Sequence, residues 1–347
     1  MVGTRMEVLE LNVRSAKFAI FIPVRNGANY IASAIDSILG QGVQDFVLIV
    51  LDNCSSDGTL AIARRYSDPR IVLVEGKDNL GIYASWHRAH TWLAEGRVIA
   101  EFVTVIGHDD LFYPDFLQNI LELISAYPDA SLYQTHFDLI DGDDAVRRPC
   151  RPIPAREFAK DFFLARCAFM RDSFGTGYVF RASDYVKVGG IPDLPSLLWS
   201  DDLLVISLAS LAYKACAGQC SFAYRLHYGS ASGAVTAGKF VSLAKALSKY
   251  VAVIEENHKT FLSFDTDRLA FAQYLARQSE MLSIPFRRKL LGDETSATID
   301  DIRRRAAAMH HPQTRPRPRP MALFDRMLSA LKRLYTALRL LRQRAAP

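Results

Sequence analysis

Two pairs of adjacent carboxylates stand out in this 347-residue chain, Asp109-Asp110 and Asp201-Asp202. Asp109-Asp110 follows the apolar run Val98–Ile106 and precedes Leu111-Phe112-Tyr113-Pro114. Neighbouring carboxylates at a strand end offer hard oxygen donors to a divalent cation that bridges diphosphate oxygens. The same residues also suit a helix start, where acidic side chains cap free backbone N–H groups. His108 beside them is either a ligand or a solvated loop histidine. Asp201-Asp202 opens the apolar run Leu203–Tyr213. A carboxylate at a cleft edge can take the proton of an attacking hydroxyl; capping of the helix is the competing role. Asp52-Asn53 leads a polar cluster through Ser55, Ser56, Asp57 and Gly58. It either caps a turn or binds a base and ribose. Arg225-Leu226-His227 precedes Gly229 and a stretch rich in Ser and Gly, and a lone histidine there is more often structural. Gly175-Thr176-Gly177 lacks the third glycine and the strand–helix context of a dinucleotide fingerprint, so it is set aside.

These residues need elements to hold them. Short apolar runs predict strands at Phe18–Pro23, Phe46–Leu51, Ile71–Glu75, Val98–Ile106 and Ser131–Ile140. Helical spacing predicts helices at Asn29–Leu39, Leu60–Tyr66, Ile82–Ala94 and Pro114–Ala126 between them. Strands alternating with helices imply a parallel sheet covered on both faces. Ligands bind such sheets at the carboxyl ends of strands, which is where residues 52–57 and 107–110 fall. Residues 155–235 are less regular, and Leu203–Tyr213 reads as a buried helix. From about 240 to 310 the pattern is helical, Thr314–Pro320 alternates Arg with Pro as a stiff linker, and Met321–Arg344 is amphipathic.

Half the residues are apolar and 23% are charged, which supports a sizeable core and excludes a mostly disordered chain. The formal net charge is +5, but residues 315–347 alone carry nine basic and one acidic residue. The remainder is therefore slightly acidic and is not a basic nucleic-acid binder. Five scattered cysteines with no CxxC pair fit reduced thiols in a cytosolic protein. No uncharged apolar stretch is long enough to span a bilayer, and the N-terminus does not read as a secretory signal.

Taken in order, the motifs resemble glycosyltransferase family 2. Ile22-Pro23-Val24-Arg25-Asn26-Gly27 resembles its Pro-Val-Tyr-Asn-Gly opening, and Ser37-Ile38-Leu39-Gly40-Gln41 its Ser-Ile-Leu-x-Gln. Leu51-Asp52-Asn53-Cys54-Ser55-Ser56-Asp57-Gly58-Thr59 is similar to its Asp-Asp-x-Ser-x-Asp-Gly-Thr turn, and Asn79-Leu80-Gly81 to its Asn-x-Gly. His108-Asp109-Asp110-Leu111 with Pro114 resembles the metal motif. Gly189-Gly190 followed by Asp201 resembles Gly-Gly-Phe…Glu-Asp, and Arg225-Leu226-His227 with Ser230 and Ser232 the closing Arg-x-His…Ser. Each motif is weak alone, but their shared order over residues 17–235 is specific.

The resemblance implies a GT-A fold: a mixed, mostly parallel α/β sheet of two abutting Rossmann-like halves, here with a helical C-terminal extension. The implied boundaries are an N-terminal extension at 1–16 and a transferase domain at 17–238. That domain divides into a nucleotide half at 17–110 and an acceptor half at 111–238. A helical extension at 239–311, a linker at 312–320 and a basic amphipathic helix at 321–347 follow. It implies a metal-dependent inverting glycosyltransferase using Mg2+ or Mn2+ and a nucleotide-diphosphate sugar, UDP- or dTDP-linked. Pro23, Arg25, Asp52, Asn53, Asn79 and His108 would bind the nucleotide. Asp109, Asp110 and His227 would hold the metal. Asp201 would be the base, with Asp202 orienting it or touching the acceptor. The acceptor would be a glycan or a lipid-linked glycan in cell-surface polysaccharide synthesis. The basic helix would dock on an anionic membrane, placing the enzyme peripherally on its cytoplasmic face. Three positions depart from the family pattern: Arg25 for Tyr, Asn53 for Asp, and Gly107 for the first Asp of Asp-x-Asp. They favour, as the alternative, a non-catalytic GT-A protein that binds a nucleotide sugar or scaffolds a partner. A nucleotidyltransferase is disfavoured because the turn 23–29 has one Gly and one Arg to hold a triphosphate. A dehydrogenase lacks its fingerprint.

Overall fold

A computed structural model describes residues 14–226, 237–282 and 285–309. In chain order it contains β1 (Arg14–Val24), α1 (Ile31–Leu39), β2 (Phe46–Asp52), α2 (Thr59–Ala63), β3 (Ile71–Val74), α3 (Gly81–Ala94) and β4 (Val98–Val105). Next come β5 (Leu111–Phe112), α4 (Phe116–Ala126), β6 (Leu132–Ile140), β7 (Val146–Pro149), β8 (Arg156–Glu157), α5 (Ala159–Cys167), β9 (Tyr178–Arg181) and α6 (Ala182–Lys187). A short 3-10 turn at Pro195–Leu197 leads to α7 (Ser200–Leu211) and β10 (Lys214–Arg225), followed by α8 (Ala237–Asn257), α9 (Asp265–Leu282) and α10 (Pro285–Ala308).

The strands form one mixed sheet in the order β3-β2-β1-β4-β9-β6-β10-β5, with β7 on β6 and β8 on β10. The first four are parallel neighbours, as the alternation of strands and helices predicts. β9 then runs antiparallel between β4 and β6 and joins the two halves. It was not legible in the sequence, because Tyr178–Arg181 is only four residues long and follows a Gly-rich stretch.

Two cores flank the sheet. Phe18, Ile20 and Ile22 point to one with α1 and α4, while Ala19 and Phe21 point to the other. This is the two-residue period of a strand buried on both faces. The second core continues without a break into the C-terminal helices: Leu247, Tyr250, Phe271, Tyr274 and Ile302 pack in one cluster with Phe21, Ile49 and Leu203. The described helices of the expected helical extension at 239–311 thus contribute to one face of the same core. Each large apolar side chain buried there contributes roughly 1.5–3 kcal/mol.

Among the described residues no helix is long and apolar enough to cross a membrane. The five cysteines form no disulfide. His227 and residues 310–347, including the linker and the basic amphipathic helix, lie outside the described residues.

Candidate active site

The turns after β1 and β2 are stitched together by side chains. Asn26 N–H donates to Ser55 Oγ at 3.0 Å, Gly27 N–H to Thr59 Oγ1 at 2.8 Å, and Ala28 N–H to Asp57 Oδ2 at 3.1 Å. In return Ser56 N–H donates to Asn26 Oδ1 at 2.8 Å. Otherwise unpaired loop amides are satisfied in this way, which fixes both loops at the carboxyl ends of the parallel strands.

Asn53 is buried at the edge of this platform. Its Oδ1 accepts Leu80 N–H at 2.9 Å, and its Nδ2 donates to Asn79 Oδ1 at 3.2 Å. Asn79 Oδ1 also accepts Gly81 N–H at 3.1 Å, so it must present oxygen, and the partner at 53 must supply a donor. An Asp at 53 would set oxygen against oxygen. Asp52 does not line the cavity described below. Its carboxylate is wholly buried and accepts Ser55 N–H at 3.2 Å and Gly76 N–H at 3.4 Å. These bonds shape the turn.

The turn after β4 holds the first carboxylate pair. Asp110 is 1% exposed. Its Oδ1 accepts Arg225 N–H from β10 at 2.9 Å, and its Oδ2 accepts Thr176 Oγ1–H at 2.7 Å. Arg225, itself buried, donates from Nε to the Asp109 carbonyl at 2.6 Å. Asp110 caps no helix: β5 intervenes, and α4 begins at Phe116. Burial, then the charge of Asp109, raises the Asp110 carboxyl well above the usual range; Thr176 and Arg225 offset part of this. The carboxylates fold back over Gly107. A Cβ there would lie 2.6 Å from Asp109 Oδ1 and 2.8 Å from Asp110 Oδ2. The missing side chain at 107 makes room for them.

No group of three metal-ligating side chains occurs among the described residues, so the expected set Asp109–Asp110–His227 is not assembled within them. The hard oxygens of Asp109 and Asp110 nonetheless fit a divalent cation. Asp109 and Asp110 would hold it, with other ligands coming from a bound diphosphate.

Asp201 opens α7. Burial, then the charge of Asp202, raises its carboxyl to about 7, and Arg166 opposes the rise. Its Oδ1 accepts Asp202 N–H at 2.9 Å. Asp202 is fully buried and turned away from the cavity, held by Arg166 Nε at 2.9 and 2.8 Å from its two oxygens. Of its two expected roles, this arrangement agrees with orienting Asp201 rather than touching the acceptor. Arg166 also donates from Nη1 to the Arg171 carbonyl at 2.7 Å. Upstream, Gly190 (φ 70°) packs against α3, where a Cβ would lie 2.6 Å from His90 Cβ.

One cavity of about 750 Å3 gathers the site. Pro23, Arg25, Asn53, Asn79, His108, Asp109, Asp110 and Asp201 all line it. The sequence reading missed Thr176, Arg166, Trp86, Trp199, Tyr274 and Gln278 on the same wall. The set-aside Gly175-Thr176-Gly177 therefore does matter, as the strap that bonds Asp110. The only sequence signal for it was the pair of glycines. Nothing in the helical pattern of 240–310 distinguishes Tyr274 or Gln278.

Three comparisons bear on this arrangement. The family model described as glycosyl transferase family 2 matches residues 19–183. An uncharacterised glycosyltransferase of Rickettsia typhi is 29% identical over 117 residues, covering 34% of this chain and 35% of that protein. One of Rickettsia prowazekii is 30% identical over 117 residues with the same coverage. The match thus spans about a third of the length of these relatives. Among solved structures, S. aureus TarS 1-349 in complex with UDP-GlcNAc superposes over 84% of this chain and 91% of that one, with 14% identity and a TM-score of 0.51. That likeness is one of fold.

Proposed function

We propose that the chain, whose residues 19–183 match the model of glycosyl transferase family 2, transfers a sugar from a nucleoside-diphosphate sugar to an acceptor hydroxyl, inverting the anomeric carbon. The observation that carries this reading is one cavity lined together by Arg25, Asn53, Asp109 and Asp201.

The chemistry is displacement at the anomeric carbon through an oxocarbenium-like transition state. The acceptor oxygen forms the new glycosidic bond. The bond to the diphosphate breaks, and its electron pair leaves with the diphosphate. Asp201 takes the acceptor proton, and a carboxyl near 7 suits a base working at neutral pH. The pairing of Asp202 with Arg166 leaves Asp201 as the carboxylate of that pair that faces the reacting groups. Arg25 can lie flat on a nucleobase in place of the usual Tyr. A divalent cation, Mg2+ or Mn2+, held by Asp109 and Asp110 would neutralise charge developing on the departing diphosphate. A UDP- or dTDP-sugar is the favoured donor. The acceptor is a glycan, free or lipid-linked, in cell-surface polysaccharide assembly.

Isothermal titration with UDP, dTDP and GDP, each with and without Mn2+, tests the reading. Metal-dependent binding of one nucleotide is expected. No binding of any nucleotide in either condition would overturn it in favour of a non-catalytic scaffold.

A further inference from the structure

We propose that the arm of the cavity formed by residues 196–199, α8 and α9 is a saccharide subsite that seats the acceptor's pyranose ring beside Trp199 and Trp86. The proposal rests on the transferase reading and adds the class of acceptor group the site takes.

The first observation is backbone strain. Ser196, Leu197 and Trp199 have φ of 57°, 55° and 62°. Left-handed conformations cost a non-glycine residue roughly 1–2 kcal/mol each and persist only where surroundings over-determine them. The surroundings here do so. Trp199 Nε1–H donates to Tyr274 Oη at 2.6 Å, and its ring stacks with Tyr250 at 6.2 Å between centroids. Both tyrosines come from the C-terminal helices, so α8 and α9 fix an indole on the cavity wall two residues before Asp201. An acceptor seated there has its hydroxyls beside the base.

The second observation is the mixture on the wall. Trp86, Trp199 and Leu243 present apolar surface, while Gln278, Ser196 and Arg166 present hydrogen-bonding groups among them. A pyranose ring has that character, with apolar C–H faces and a polar rim. An isoprenoid chain would offer the Gln278 amide no hydrogen-bond partner, and unpaired buried polar groups are costly.

The tryptophans supply the assay. The chain has three, and Trp92 is 4% exposed in the core. Changes in emission on binding therefore report Trp86 and Trp199. The full chain, first saturated with its nucleotide and Mn2+, is titrated with a panel of methyl hexopyranosides and disaccharides, and separately with farnesyl phosphate. At least one saccharide is expected to shift emission saturably. Gln278→Ala and Trp199→Ala should each weaken that binding, the latter about tenfold or more, as for aromatic anchors. Gln278 is half-buried on α9, so its variant keeps the test usable if Trp199→Ala fails to fold. Three results would overturn the proposal: a shift with farnesyl phosphate alone, no shift with any saccharide while nucleotide still binds, or saccharide binding untouched in Gln278→Ala and in any folded Trp199→Ala. Saccharide binding without any nucleotide binding would instead remove the transferase reading and leave the subsite standing.

Discussion

Arg166 on α5 and Asp202 on α7 form an ion pair in which one guanidinium nitrogen lies 2.9 and 2.8 Å from the two carboxylate oxygens. The carboxylate is fully buried and the arginine side chain is 25% exposed. The pair lies next in sequence to Asp201, so it both anchors the start of α7 and sets the field felt by the base. Arg166 works through Asp202 and is a positioning residue.

Arg166→Met leaves Asp202 buried without a partner, a loss of roughly 3–5 kcal/mol. Arg166→Lys keeps the charge but loses the planar fork that spans Asp202 and the Arg171 carbonyl. In both, loss or displacement of the opposing cation should move the acidic limb of the kcat/KM profile above its wild-type position. Chemical denaturation checks the stability, and the pH profile separates the electrostatic role from a packing role, since a smaller folded fraction would not shift the limb.

Asp201→Asn should lower transfer by at least ~10²-fold, the usual scale for losing a general base, and leave nucleotide affinity unchanged. Its stability effect has a definite sign. The folded carboxyl sits near 7 against the ordinary aspartate value of 3.8, so the folded state holds the proton more tightly. The stability this gives is complete below the unfolded value and lost as pH rises through about 7. The Asn variant escapes that loss. Its melting temperature should exceed wild type at pH 8 and converge with it near pH 4. A constant difference across pH would count against an elevated Asp201.

Wild-type turnover should fall as pH drops below about 7, as Asp201 takes up a proton. Nucleotide binding over the same range should not follow this limb. Titration calorimetry beside initial rates distinguishes the two.

Gly107→Ala should destabilise the protein by about 1–3 kcal/mol, as overpacking does. The new Cβ would strike Asp109 Oδ1 and Asp110 Oδ2, and Asp110 is pinned by Thr176 and Arg225. Gly107→Asp, which restores the family's usual acid, should therefore weaken Mn2+-dependent nucleotide binding. Tighter binding in that variant would show that the pair moves aside freely.

Deleting residues 315–347 removes a net charge of +8 and an amphipathic stripe. The truncated protein should shift from membrane to soluble fractions on flotation with anionic vesicles. Unchanged partition would sever the membrane from this segment.

The sequence by itself determined the parallel half of the sheet and eight of the residues on the cavity wall. Apolar runs such as Phe46–Leu51 are local and strongly periodic, and Asn53, Asp109 and Asp201 follow recognisable turns. What it could not settle was which member of each polar group faces the cavity. Asp52 and Asn53 are neighbours, as are Asp201 and Asp202, yet distant partners divide their roles. Ser55 and Gly76 amides occupy Asp52, and Arg166, from an unremarkable helix, occupies Asp202. The helices after residue 237 show the same limit. Their pattern says only that one face is buried, while packing against Phe21 and Leu203 brings Tyr274 and Gln278 to the cavity. Residue type and local period are short-range properties. The assignment of a buried charge or a wall residue depends on partners 36 and 75 positions away, and only the folded chain brings those together.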